Sequence, residues 1–270
     1  MTGALEVVIM GCGASGGVPR ADGDWGVCNP SDPRNRRSRC SLLVRRLSDG
    51  GPDSQTTVIV DAAPEFRQQA VAAQARRLDA LLLTHDHADQ CHGLDDIRAF
   101  AMTQKARIPC WADRPTTETL SRRFGYIFEG GGLYPPIAQL HEVPSFGQTF
   151  RIDGPSGEIS VFAFDQDHGP IRSLGYRFGA LAYSSDVVDL PDTALAMLQD
   201  LDVWIVDALR YRPHPTHAHV AKALEWIDKV KPKRAILTNM HVDLDYRDLA
   251  AQLPSHVEPA FDGLRLQLAG

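Results

Sequence analysis

Short apolar runs recur along this chain, and one after another stops on a histidine, an aspartate or an asparagine. Ala80 to Leu83 is a continuous apolar run of the kind a buried strand shows, and His85 follows it. Ile159, Val161 and Ala163 alternate along a strand that ends near His168. Leu174–Phe178 and Leu181–Tyr183 flank Gly179 and Ala180 as a hairpin that runs on to Asp186. Val203–Val206 stops at Asp207, and Ala235–Leu237 leads to Asn239 and His241. Strand ends in an α/β architecture lie along one edge, where loops converge on a ligand. The pattern therefore predicts one site, and restricts the fold to arrangements that bring these ends together.

Val7–Met10, Ser41–Val44 and Val58–Val60 read as further strands, the first running into the glycine-rich loop Gly11–Gly17. Pro64 to Arg77 fits a helix with Phe66, Ala70 and Ala73 on one face, and a second helix carries Val220, Ala223, Leu224 and Ile227 at helical spacing. Meanders and βα units occur in both halves, which favours an α/β (α+β) sheet-on-sheet core flanked by helices over one doubly wound sheet. The chain of 270 residues shows no repeat and no dividing linker, so one domain over 1–270 is expected. Its longest apolar run falls far short of the roughly 20 residues a membrane span requires, and no signal-peptide pattern opens it, so neither membrane nor secretion is expected. Cys12, Cys28, Cys40, Cys91 and Cys110 lack a CxxC spacing, which points to reduced thiols and a cytoplasmic setting. A net charge of −6 argues against an extended nucleic-acid footprint, with Arg34, Arg36, Arg37 and Arg39 as the one basic stretch.

The segment Thr84-His85-Asp86-His87-Ala88-Asp89-Gln90-Cys91-His92-Gly93 carries the most chemistry. Two imidazoles two residues apart after a strand can turn their nitrogens on one cation, and Asp89 can face the same cavity from the start of the next helix. Solvated loop histidines would give this spacing only by coincidence.

With this segment the sequence resembles the metallo-β-lactamase-fold hydrolases, whose signature reads His-x-His-x-Asp-His, then a lone His, a lone Asp and a final His. The resemblance covers nearly the whole chain. It also rests on Gly11-Cys12-Gly13 with Gly17-Val18-Pro19, Asn35-Arg36-Arg37-Ser38-Arg39-Cys40-Ser41, Asp61-Ala62-Ala63-Pro64-Glu65-Phe66-Arg67, His168-Gly169, Ser185-Asp186 and Leu237-Thr238-Asn239-Met240-His241. Within that superfamily it is most similar to the branch containing the phosphodiesterase of phosphonate breakdown, which acts on a ribosyl cyclic phosphate. The tRNA 3′-processing endonucleases are more distant relatives. The resemblance implies a four-layer αββα sandwich with metals at one edge of the two sheets. It implies that His85, His87 and His168 hold the first metal and that Asp186 bridges toward a second. Zn2+ is the expected ion, with Mn2+ as the alternative.

The chain departs from the family at the second metal. Gln90 stands where the family has His, and Asn239 stands where close relatives have His. A carboxamide oxygen is a weaker ligand than imidazole for zinc-like ions, so one tight site and a second that is weak, altered or empty are expected. His92 and His241 are substitute candidates, and a hydrogen-bonding role serves each equally well.

His217 begins the second helix, with Thr216 before it as N-cap, which would set its imidazole beside free backbone N–H groups in a place suited to phosphate. In the resembled phosphodiesterase a His at this motif position binds phosphate or protonates the leaving oxygen, and a capping His is the plain alternative. The guanidiniums of Arg36 and Arg39 match phosphate oxygens in a fork, against the ordinary alternative of a solvated face. Asp61 and Asp207 are expected to orient histidines or cap turns. Cys28 falls where the resembled enzyme has part of an extra structural zinc site, but its companion cysteines have no counterparts, so no structural zinc is expected. The sequence thus points to a metal-dependent hydrolase, a phosphodiesterase on a small cyclic or nucleotide-like phosphate ester, with Asp89 and His217 catalytic. The expected partners are that phosphate ester and, as a homodimer, a second copy of the chain. The rival reading is a non-catalytic or weakened relative that binds a nucleotide or cofactor-like ligand with one metal or none.

Overall fold

Strict alternation of apolar side chains to two buried faces sets the architecture. In the computed structural model, which describes residues 3–268, the first strands are β1 (Leu5–Gly11), β2 (Ser41–Arg46), β3 (Thr56–Val60), β4 (Ala80–Leu82), β5 (Ile108–Ala112) and β6 (Ala138–Glu142). Val7, Ile9, Leu42, Val44, Val58, Val60, Ala80 and Leu82 point to one face, into the core shared with the second sheet. Val8, Met10, Leu43, Ile59 and Leu81 point to the other, into a separate core closed by helices. A sheet buried on both faces needs a layer on each.

The second sheet is built from β7 (Phe150–Ile152), β8 (Ile159–His168), β9 (Ile171–Phe178), β10 (Leu181–Ser184), β11 (Val203–Asp207), β12 (Arg234–Thr238) and β13 (Val257–Pro259), and β14 (Arg265–Leu268) returns to the first. The strand orders are β14-β1-β2-β3-β4-β5-β6 and β13-β12-β11-β10-β9-β8-β7. The helices are α1 (Phe66–Ala72), α2 (Ala88–Cys91), α3 (Arg98–Gln104), α4 (Arg114–Phe128), α5 (Asp192–Met197), α6 (Val220–Val230) and α7 (Tyr246–Ala250). Residues of α1, α3 and α4 cover the outer face of the first sheet, and α5 and α6 pack with the second. The result is the expected αββα sandwich.

Several elements differ in extent from the sequence reading. The helix expected over Pro64–Arg77 is only α1, because Ala73 forms its C-cap and Gln74 turns left-handed at φ 57°. α6 starts at Val220 with His219 as N-cap, so His217 and Thr216 lie in the loop before it and the expected cap at Thr216 does not form. The five cysteines are buried and unpaired. Among the described residues no helix is long and apolar enough to cross a membrane.

The turn after α2 is packed against the backbone of the 61–66 loop. Ala62 donates to Gln90 O and Gly93 donates to Ala62 O, both at 2.8 Å. A Cβ at Gly93 would lie 2.0 Å from Ala63 O and 2.6 Å from Phe66 Cβ. Gly93→Ala is therefore expected to destabilise the protein by about 1–3 kcal/mol through forced displacement of backbone. Denaturant unfolding checks this, and an unchanged midpoint would show that the turn shifts freely.

Candidate metal centre

Three strand ends carry their polar residue on a left-handed backbone. Asp61, Asp186 and Asn239 have φ of 62°, 54° and 60°, a conformation that Asp and Asn tolerate better than other residues with a Cβ. Asp61 accepts the amide of Thr84 at 2.8 Å and its hydroxyl at 3.0 Å, and the Thr84 oxygen lies 3.0 Å from His85 Nδ1. With the hydroxyl proton given to Asp61, Thr84 accepts from Nδ1–H, which leaves Nε2 of His85 as a bare acceptor. That nitrogen is buried and has no partner.

His168 is fixed the same way, its Nδ1 donating to Thr216 O at 2.8 Å. Its Nε2 then faces His87 Nδ1 at 3.4 Å, two ring nitrogens turned toward each other. One ligand atom from each of His85, His87 and His168 lies within 4.8 Å of the others. Burial, reinforced by His168 and His87 nearby, pushes the His85 imidazole well below its ordinary range, so it stays neutral. Burial lowers His168 as well. Two buried imidazoles with bare Nε2 atoms, joined by the ring of His87, are the donor set a zinc-like cation takes, so these residues fit the metal the sequence implies.

A second group joins His168, Asp186 and His217 within the same reach. Asp186 accepts from the Ser185 hydroxyl and, at 3.1 Å, from Gln90 Nε2. His217 Nδ1 lies 3.0 Å from Asp207 Oδ2 and 3.9 Å from Asp186 Oδ1. Burial opposes charge on this ring, yet the carboxylate of Asp207, with Asp186 and Asp89 behind it, holds His217 up to about 9. Asp207 is itself fixed by the Val187 amide at 3.0 Å.

The remaining sequence candidates are placed less simply. Asp89 is outside the two clusters and is tied to Asp186 through Gln90, whose Nε2 also donates to Asp89 Oδ2 at 3.3 Å. Burial and the Asp186 charge push Asp89 up. His241, a candidate ligand, is not brought to the centre: its Nε2 bonds Arg20, and its Nδ1 lies 3.2 Å from Asp243. His92 packs edge-on against Phe124, ring centroids 5.7 Å apart. The arginine stretch is not one surface. Arg37 is fully buried and donates to Asn35 Oδ1 and His241 O, Arg34 pairs with Asp32, Arg36 lies exposed over the Trp25 ring, and Arg39 pairs with Glu65 at 3.0 Å. Arg20 and Ser185 gave no signal in the sequence beyond lying in or beside a matched motif.

Residues 56–240 match the model of the beta-lactamase superfamily domain, and the chain belongs to that family. It has the metallo-β-lactamase fold and lies close to the PhnP branch: it shares 33% identity with a diphosphatase of the PhnP family, with a TM-score of 0.86 over 98% of this chain and 97% of that one. Zn2+-bound PqqB from Methylobacterium extorquens shares the fold at 18% identity and a TM-score of 0.73, over 97% of this chain and all of that one (100%). An octanoyltransferase of Porphyromonas gingivalis (strain ATCC BAA-308 / W83) is 30% identical over 265 residues, which are 96% of this chain and 51% of that protein. The chain spans about half the length of that relative.

Removing a converging nitrogen should remove tight metal binding. His85→Ala and His168→Ala are expected to lose the bound ion after dialysis, and Thr84→Val, which frees the His85 ring and removes the hydroxyl donor to Asp61, to weaken affinity about 10-fold. Metal analysis and chelator competition check this; unchanged content in both alanine variants would rule the cluster out as the site.

Proposed function

We propose that the protein is a metal-dependent phosphodiesterase acting on a small cyclic or nucleotide-like phosphate ester. The observation that carries the reading is a cavity of about 580 Å³ in which Asp89 shares the walls with Arg20 and Arg39. Two guanidiniums on a cavity that reaches Asp89, which Gln90 ties to Asp186, suit a phosphate ester better than a neutral acyl substrate, although Asp22 shares the wall. Arg39 also lines an adjoining cavity of about 450 Å³ with Arg36 and Gln69, which offers room for the group esterified to the phosphate. The diphosphatase relative supports phosphate chemistry. An arginine stretch divided between buried, paired and exposed side chains, rather than a continuous basic face, supports a small substrate over a long nucleic acid.

In this reading His85, His87, His168 and Asp186 hold Zn2+ or Mn2+, and such an ion supplies Lewis acidity, acidifying water and neutralising charge that builds on phosphoryl oxygen. The chain does the rest. Asp89 orients the attacking water and accepts its proton. Arg39, held by Glu65, binds a non-bridging oxygen, and Arg20, held by His241, closes the same wall. His217, oriented by Asp207, donates a proton to the leaving oxygen. His241 thus serves through Arg20 and not as a ligand.

Metal-loaded protein is expected to turn over bis(p-nitrophenyl) phosphate. Arg39→Ala should raise KM about tenfold, the loss of one charge-assisted hydrogen bond, with little change in Tm. Arg36→Ala, exposed over Trp25, should raise KM less. Absence of turnover with Zn2+ and Mn2+ alike would favour the rival, a relative that binds a ligand without hydrolysing it, and the carboxamides at positions 90 and 239 are what keep that rival in play.

A further inference from the structure

The positions expected to supply imidazoles to a second metal hold carboxamides, and the structure shows which end of each amide faces the acidic groups. Gln90 is fully buried. Its Nε2 donates to Asp186 Oδ2 at 3.1 Å and to Asp89 Oδ2 at 3.3 Å, one N–H for each carboxylate. Its Oε1 is buried and unpartnered. Asn239, also buried, sets Nδ2 3.3 Å from Asp207 Oδ1 and 3.0 Å from His217 Nδ1. Both amides turn a hydrogen-bond donor, not a ligand oxygen, toward the carboxylates. A cation between Asp89 and Asp186 would have to displace the N–H pair, and turning Gln90 over would face its oxygen to two carboxylate oxygens. The donor state and the cation-bound state exclude each other. The other imidazoles are spent elsewhere: His241 bonds Arg20, His92 packs against Phe124, and His217, within reach of His168 and Asp186, gives its Nδ1 to Asp207.

We infer that the centre is built for a single metal ion and that Gln90 replaces the second ion as the tie between Asp89 and Asp186. Gln90 is a positioning residue: it sets the Asp186 carboxylate toward the histidine cluster and keeps Asp89 beside it, without adding a charge. The backbone around it is fixed independently, Gln90 N donating to His87 O at 3.0 Å and Gln90 O accepting from Ala62 at 2.8 Å, so the side chain can be changed without releasing the turn. The inference rests on the metal reading of the cluster but not on the substrate.

The test is titration of metal-free protein with Co2+, followed by its visible absorption, together with Zn2+ content after dialysis. The parent is expected to saturate at one equivalent. Gln90→Met, close in volume and without the donor, should still bind one equivalent, with affinity about tenfold weaker and a changed Co2+ spectrum, because Asp186 keeps only the Ser185 hydroxyl and loses its tie to Asp89. Gln90→Asn is too short to reach both carboxylates and should not restore the parent spectrum. The double variant Gln90→His, Asn239→His should take up a second equivalent, with either single change doing little. Saturation of the parent at two equivalents, or a Gln90→Met variant with parental spectrum and affinity, overturns the inference and leaves the metal reading intact. A parent that binds no Co2+ or Zn2+ overturns both. If the double variant does not fold, the parental stoichiometry and the Gln90→Met spectrum still decide.

Discussion

The site depends on how the two sheets are joined at one end. Leu174 in β9 of the second sheet donates its amide to Thr84 O at 2.8 Å, and the buried hydroxyl of Tyr176 donates to Leu83 O at 2.7 Å. These bonds pin the exit of β4 in the first sheet to the middle of β9. His85 and His87 leave one sheet and His168 leaves the other, and the approach of these three to 4.8 Å or less, with Asp186 within the same reach of His168, requires that register. Buried bonds of this kind are costly to leave unmade, so they select one alignment of the sandwich as well as stabilise it.

Electrostatics then divides the histidines by their partners. His85 and His168 give Nδ1 to neutral oxygens, Thr84 Oγ1 and Thr216 O, and burial lowers both. His217 gives Nδ1 to a carboxylate and is raised to about 9. The same side chain is held neutral in one place and charged about 5 Å away, ring centroids of His168 and His217 being 4.8 Å apart.

Much of this was legible in the sequence because strand periodicity and strand-end polar residues are local signals. β8, β9, β10 and β11 fall within a few residues of the expected runs, and the three converging histidines are those that the motif pattern singles out. What escaped depends on chain direction after a turn. Asn239 is left-handed, so Met240 enters the core and the His241 amide bonds Leu209 O, which carries the imidazole away to Arg20. No spacing rule predicts that. The arginine stretch failed similarly: Val18 bridges Arg37 and Gly13 bridges Arg39, so the segment is extended and alternates, burying Arg37 while exposing Arg36. His217 was misplaced on α6 because helical spacing cannot say that the first turn begins only at Val220.

The amides at 90 and 239 show what the fold demands of its edge independently of any ion. Burial pushes both Asp89 and Asp207 up, so each needs a donor to keep its charge in place. Asp207 has His217, the Val187 amide and the Asn239 amide, and Asp89 has Gln90. A neutral imidazole has a single N–H, enough for one carboxylate, and loses it wherever that same nitrogen takes a metal. A carboxamide offers N–H groups permanently. The carboxamides at these two positions therefore make the carboxylate geometry part of the fold, the Gln90 amide reaching two carboxylates at once and the Asn239 amide one.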